Sequence, residues 1–144
     1  MYAPHTLTLY NTEENSVTYE TESYITVLEG VFWDAALAAN TRATGLENAD
    51  ALNLFIPFSV KAYDGETGEP KSFLPEKEFA VAANKNAFWT LSTSNCFVVK
   101  GVAVLPGKSF QEVNKAFGDV HRVTKVDIKD FGSENMWHWE VGGR

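Results

Sequence analysis

The sequence predicts a mainly β protein, a small β-barrel or sandwich with one short α-helix near residues 109–117. Two observations carry that expectation. Short segments of period-two alternation recur along the chain between clusters of turn residues, and only one segment combines helical spacing with start and stop signals. The length of 144 residues suits a single domain, 1–144, large enough to bury a continuous core.

From His5 to Tyr10, Thr6 and Thr8 alternate with Leu7 and Leu9, the pattern of a half-buried strand. Asn11 to Ser16 reads as a turn. A second extended stretch, Val17 to about Trp33, is rich in β-branched and aromatic residues, and Gly30 inside it predicts a bulge or bend. Residues 34–44 fit either of two forms. One is a short helix with Asp34 as N-cap and Gly45 as terminator; the other is a strand edge and hairpin loop.

Ala51 to Val60 resumes alternation with Leu52, Leu54, Ile56 and Phe58 on one face, and Pro57 predicts that the strand ends there or runs along a sheet edge. Lys61 to Lys77 is expected to be a long mobile loop. Asp64-Gly65 and Thr67-Gly68 are turn pairs, and Pro70 and Pro75 remove two backbone donors. Phe88 to Leu91 and Phe97 to Leu105 then read as two strands of a hairpin joined through Ser92-Thr93-Ser94-Asn95.

Ser109 and Glu112 have capping-box spacing. Phe110, Val113, Ala116 and Phe117 follow at helical spacing, and Gly118 stops the helix. A last hairpin is predicted from Val120–Ile128 and Asn135–Val141 around Asp130-Phe131-Gly132-Ser133. Val120, Arg122, Thr124, Val126 and Ile128 share one parity. No internal repeat or low-complexity tract interrupts these elements.

Hydrophobic residues at 44% and charged residues at 22% are ordinary for a globular domain, and aromatics at 13% supply large core contacts. The net charge of −7 comes from scattered residues and leaves no basic patch, which disfavours tight nucleic-acid binding. No window approaches the ~20 apolar residues of a membrane-spanning helix, and no secretory leader pattern opens the chain. The expected place of action is a cytoplasm, or a particle that leaves it.

The single cysteine, Cys96, precedes the apolar run Phe97-Val98-Val99 and reads as a buried strand end, not a reactive thiol. His5, His121 and His138 have no metal-ligand spacing to each other or to a carboxylate cluster. Asp127 and Asp130 flank a predicted turn, where Asp is favoured by bonding to its own backbone. Gly30, Gly45 and Gly101 are isolated. Gly107-Lys108-Ser109 ends like a phosphate loop but has Val102 where that loop needs a glycine. Trp137 and Trp139 share a face and suit core packing or a protein interface. No catalytic, cofactor-binding or metal residue is therefore expected, and the chain does not read as an enzyme.

Residues 126–143, Val-Asp-Ile-Lys-Asp-Phe-Gly-Ser-Glu-Asn-Met-Trp-His-Trp-Glu-Val-Gly-Gly, resemble the end of a family of uncharacterised phage and prophage proteins of Gram-positive bacteria, a domain of unknown function. The resemblance extends to His5–Asn11, Leu28–Trp33, Ala51–Phe58 and Val98–Gly101. It implies phage origin and supplies no catalytic residues.

The strand order resembles, more loosely, the small β-barrels that close the phage portal and join head to tail. The expected function is thus virion morphogenesis, as a head-tail connector or head-closure subunit in the host cytoplasm during assembly and then in the virion. Its expected partners are portal, connector or tail proteins and further copies of itself in a ring, with no cofactor and no membrane. The rival is a small ligand- or carbohydrate-binding module, or an enzyme of prophage origin, with Trp33, Trp89, Trp137 and Trp139 as its platform. Exposure separates the two, because a ligand module displays at least two indoles in one concave pocket.

Overall fold

Period-two alternation becomes strand wherever a second strand lies within hydrogen-bonding reach. The computed structural model describes residues 3–14, 21–35 and 52–144. Its strands are β1 (His5–Glu14), β2 (Thr21–Ala35), β3 (Leu52–Pro57), β4 (Lys61–Asp64), β5 (Ser72–Phe73), β6 (Phe88–Trp89), β7 (Cys96–Lys100), β8 (His121–Lys129) and β9 (His138–Gly143). Two short α-helices, α1 (Glu76–Ala80) and α2 (Phe110–Phe117), interrupt them.

The main sheet runs β1-β7-β8-β9-β3-β2-β4, and β1 also pairs with β2. Every neighbour in it is antiparallel. The long strands β2 and β8 each serve two layers. In the first layer β4, the early part of β2, β1, β7 and the start of β8 lie side by side. The end of β2, β3, β9 and the rest of β8 form the second. The seam between β7 and β8 is two residue pairs long, Phe97–Arg122 and Val98–His121, so the layers meet as a sandwich and not as an evenly closed barrel.

The bulge expected at Gly30 is present. Val31 faces His5 and Glu29 faces Thr6, which leaves Gly30 as the extra residue, and its φ of +93° is one that a glycine adopts without strain. The β3 alternation also holds. Leu52, Leu54 and Ile56 are fully buried, and Pro57 ends the strand. The capping box at α2 is complete: the Glu112 N–H donates to Ser109 Oγ, and the Ser109 N–H donates to the Glu112 carboxylate. Of residues 34–44, which fit either a short helix or a strand edge with a hairpin loop, Asp34 and Ala35 belong to β2; the rest lies outside the described residues.

Four expectations differ from the structure. The first is the turn at Asn11–Ser16. Asn11 to Glu14 continue β1, because each has a partner on β2. β1 is also buried on both faces, not half-buried. Leu7 and Leu9 enter the space between the layers, while Thr8 and Tyr10 are covered from the other side by residues 101–105 and α2. Thr8 Oγ1 donates to the Gly101 carbonyl and accepts from the Ala103 N–H, both at 2.8 Å. The Tyr10 hydroxyl donates to the Ala103 carbonyl and accepts from the Leu105 N–H. Satisfied in this way, two polar groups are tolerated at full burial.

The second concerns 61–77, which carries regular structure where the sequence predicts an open loop. β4 pairs with β2, and the turn after it is folded back onto β2 by Lys71. The Lys71 ammonium is buried; it donates to the Ile25 carbonyl at 3.1 Å and Thr26 Oγ1 at 3.0 Å, and lies 3.5 Å from the Asp64 carboxylate. Burial lowers its pKa, and Asp64 opposes that shift. Gly65 allows the close approach, since a Cβ there would meet Ile25 and Val104 methyl carbons at 2.9 Å.

The third is the hairpin expected from 88–91 and 97–105. β6 pairs in parallel with β5, and β7 pairs with β1 and β8, so the Ser92–Asn95 segment joins two strands that are not neighbours. Asn11 holds the residue just ahead of that segment: its side chain donates to the Thr90 carbonyl at 2.9 Å and accepts from the Thr90 N–H at 3.3 Å, doing the work of a strand partner.

The fourth is the β8 parity. The β8–β9 hairpin forms as expected, but Val123 faces Gly143 and Lys125 faces Gly142, so Thr124 is an extra residue. The bulge inverts the alternation. Val123 and Val126, three apart, both pack on the core; Ile128 keeps the Val126 face, opposite Trp139, but lies nearer the hairpin end and is 59% exposed.

Candidate functional site

The four indoles were the sequence's strongest suggestion of a ligand platform, and the fold disperses that platform. Trp33, Trp89 and Trp139 are buried in the core between the layers. Trp89 and Trp139 meet edge to face at 5.4 Å, and Phe73 lies 5.1 Å from the first ring and 4.6 Å from the second. Such offset and edge contacts are how aromatic rings pack a core. Trp137 is half-buried; its Nε1–H donates to the Gly132 carbonyl at 3.3 Å, and Phe58 touches both Trp137 and Trp139.

The histidines are separated as well. His5 Nδ1 accepts the Trp33 backbone N–H at 3.0 Å. His138 Nδ1 lies 2.8 Å from the Met136 carbonyl and its Nε2 3.3 Å from Glu140, so it braces the start of β9. His121 packs edge-on against Trp33 with Nδ1 buried and without a partner, and burial lowers its pKa. Among the described residues no three His, Cys, Asp or Glu side chains are placed to hold a metal ion.

Cys96 is buried at the start of β7, and burial pushes its thiol pKa up to about 12. A thiol held protonated in this way is a poor nucleophile. Asp127 forms an ion pair with Lys125 at 3.2 Å, whereas Asp130 lies exposed in the turn. Gly101 donates its N–H to the Thr6 carbonyl, Gly107 donates to Ser23 Oγ, and Ser109 is spent as the α2 cap, so 107–109 is a helix entry. Gly45 lies outside the described residues.

What the sequence missed is the tip of the β8–β9 hairpin. Ile128, Phe131 and Met136 fall within nine residues and are 59%, 73% and 48% exposed. Ile128 shares a parity with Val126 and Met136 falls in the strand expected from Asn135, so neither position signals exposure, and Phe131 sits in a turn read only for its Asp and Gly. Exposed large apolar side chains gathered at one loop mark contact surfaces more often than do single scattered ones. Charges flank the strands below: Lys129 approaches Glu140 at 3.9 Å, and Glu140 approaches His138 at 3.3 Å. An apolar tip above a charged collar has the layout of an interface with a dry centre and a polar rim.

The model of a family of unknown function, DUF6751, matches residues 2–144. The chain belongs to that family. No curated protein and no solved structure matches this DUF6751 chain. The match covers nearly the whole sequence, as the resemblance at both ends led us to expect, and its description carries no activity. Among the described residues of the DUF6751 chain, no helix is long and apolar enough to cross a membrane.

Proposed function

We propose that the chain is an assembly protein that acts by protein–protein contact, and at its most specific a virion component, a head-tail connector or head-closure subunit. The observation that carries the reading is the apolar hairpin tip. Ile128, Phe131 and Met136 are displayed to solvent within nine residues, whereas the other exposed large apolar residues, Phe58, Val81, Val102 and Phe117, are scattered along the chain. Leaving three such residues exposed forgoes roughly 1.5–3 kcal/mol for each that a partner does not cover, which favours a state in which something covers them.

Two further observations support contact over turnover. Three of the four indoles are core, so no aromatic platform for a sugar is on display. Cys96 is held protonated and the three histidines lie apart, which leaves no assembled nucleophile and base among the candidates. The partner is a protein surface, either another copy in a ring or a neighbouring virion component.

Two experiments test this. In solution, the mass of the purified chain measured by light scattering across concentrations, alone and with portal or tail proteins, should show an association that Phe131→Asp abolishes while thermal stability is kept. In particles of the parent phage, the chain should be present in a fixed multiple consistent with a ring, and deletion of its gene should leave heads and tails unjoined. Normal infectious particles without it, or a substrate consumed by the purified chain, would sink the reading.

A further inference from the structure

Two arginines meet on one face of the sheet, and among the described residues no Asp or Glu side chain pairs with either. The Arg122 N–H donates to the Arg144 carbonyl at 3.1 Å, and the Arg144 N–H donates to the Arg122 carbonyl at 3.0 Å. That reciprocal pair is the hydrogen-bonded pairing of antiparallel strands, in which directly opposed residues send their side chains to the same face. Like charges so opposed repel and destabilise the pairing. Neither guanidinium forms an ion pair among the described residues, although the chain as a whole carries net −7.

Both arginines line a cleft of about 370 Å³ bounded by the 93–95 loop, the first turn of α2 and β8. No Asp or Glu side chain contributes to its wall. Hydroxyl and amide side chains do, among them Ser94, Asn95, Ser109 and Gln111. The nearest helix carboxylate, Glu112, is engaged by Ser109 and Lys108. Arg122 lies over the Phe110 ring, 4.0 Å from its centroid. Stacking occupies the face of a guanidinium and leaves its in-plane N–H groups free for a bidentate acceptor.

We propose that this cleft binds a small phosphomonoester, its phosphate bridging Arg122 and Arg144 and its organic part resting on Phe110 and the wall of β8. An oxyanion removes the repulsion between the paired arginines and offers enough acceptors for both. The cleft volume lies within the range of small-molecule pockets, which leaves room beyond the phosphate. The site is separate from the hairpin tip, so it stands or falls independently of the assembly reading.

The full chain, labelled with ¹⁵N, is titrated with glycerol 3-phosphate, inorganic phosphate and succinate while amide shifts are followed. Saturable shifts should centre on Asn95, Ser109, Gln111 and Arg122, with glycerol 3-phosphate bound more tightly than inorganic phosphate and succinate weakest. Arg122→Gln should weaken binding about tenfold or more, since a charge-assisted bidentate contact is lost. Arg122→Lys should fall between, and Lys61→Gln should change nothing. Arg144→Gln provides the same test if Arg122→Gln does not fold. Absence of shifts at tens of millimolar ligand, shifts spread over surface lysines, or affinity unchanged in both Gln variants would overturn the site. Equal affinity for inorganic phosphate would overturn the phosphomonoester assignment.

Discussion

The β1–β2 and β8–β9 hairpins are both antiparallel and both carry a bulge, yet one is covered along most of its length and the other ends in an apolar tip in solvent. In the first, the bulge falls at Gly30, whose φ of +93° re-aims the strand where it passes from one layer to the other. In the second, the bulge falls at Thr124, with no glycine to mark it. The lesson concerns parity. A bulge inverts which residues face the core from that point onward, so a marked bulge warns the reader and an unmarked one misassigns every residue beyond it. Counted back from Val126, the residues so misassigned are Thr124 and Arg122, and Val123 is the one buried; Ile128 keeps the Val126 face and is exposed because it lies toward the hairpin tip.

The largest expected effect lies where the second hairpin does reach the core. Trp139 is buried against Phe58, Phe73 and Trp89. Trp139→Ala should cost roughly 3–5 kcal/mol in urea unfolding. A loss near zero would show that β9 is not anchored by this ring and that the comparison of the two hairpins is misdrawn.

Next in size is Gly30→Ala. A Cβ at Gly30 would meet nothing within 4 Å, so the cost is that of the backbone conformation alone, about 1–2 kcal/mol. A neutral or stabilising result in the same denaturation assay would mean that the strand can change layers without a left-handed residue.

Ile128→Ser should shift stability by less than about 0.5 kcal/mol, as for other exposed sites. A loss of about 2–4 kcal/mol would instead show that Ile128 is covered by the core and would remove it from the candidate contact surface.

The smallest effect concerns pH. His121 packs against Trp33, and burial lowers its pKa below the usual 6.5. The unfolded chain therefore binds a proton more readily than the folded one. The His121 contribution is fully present above pH 6.5 and is lost as pH falls through the lower folded value. Thermal melts of the native chain and His121→Gln should converge as pH is lowered below that range; a constant difference would show that the imidazole titrates alike in both states.

Features legible in the sequence are those set by neighbours along the chain. The capping box at Ser109 and Glu112 spans three residues, the glycine bulge is marked by its own residue, and β3 declares its buried face through Leu52, Leu54 and Ile56. What stayed hidden needs partners far away. Thr8 is tolerated at full burial by bonds to residues 93 and 95 positions distant, and Asn11 stands in as strand partner to Thr90 across 79. The Phe88–Leu105 region shows the difference: its residues announce two strands, but nothing local says that they pair with β5, β1 and β8 in place of each other.

The sequence by itself determined that the chain is mainly β with a short capped helix, because alternation, turn chemistry and capping act over a few residues. The tertiary structure alone decided which strands pair, that the bulge at Thr124 puts Val123 and Val126 on one face, that Lys71 folds the 64–71 turn onto β2, and that Arg122 and Arg144 share a face. Strand pairing, the bulge and the shared arginine face depend on backbone hydrogen bonds that any side chain permits, and the Lys71 ammonium finds its acceptors about 45 residues away, so the choice among partners rests on the packing of the whole core and leaves no local mark in the chain.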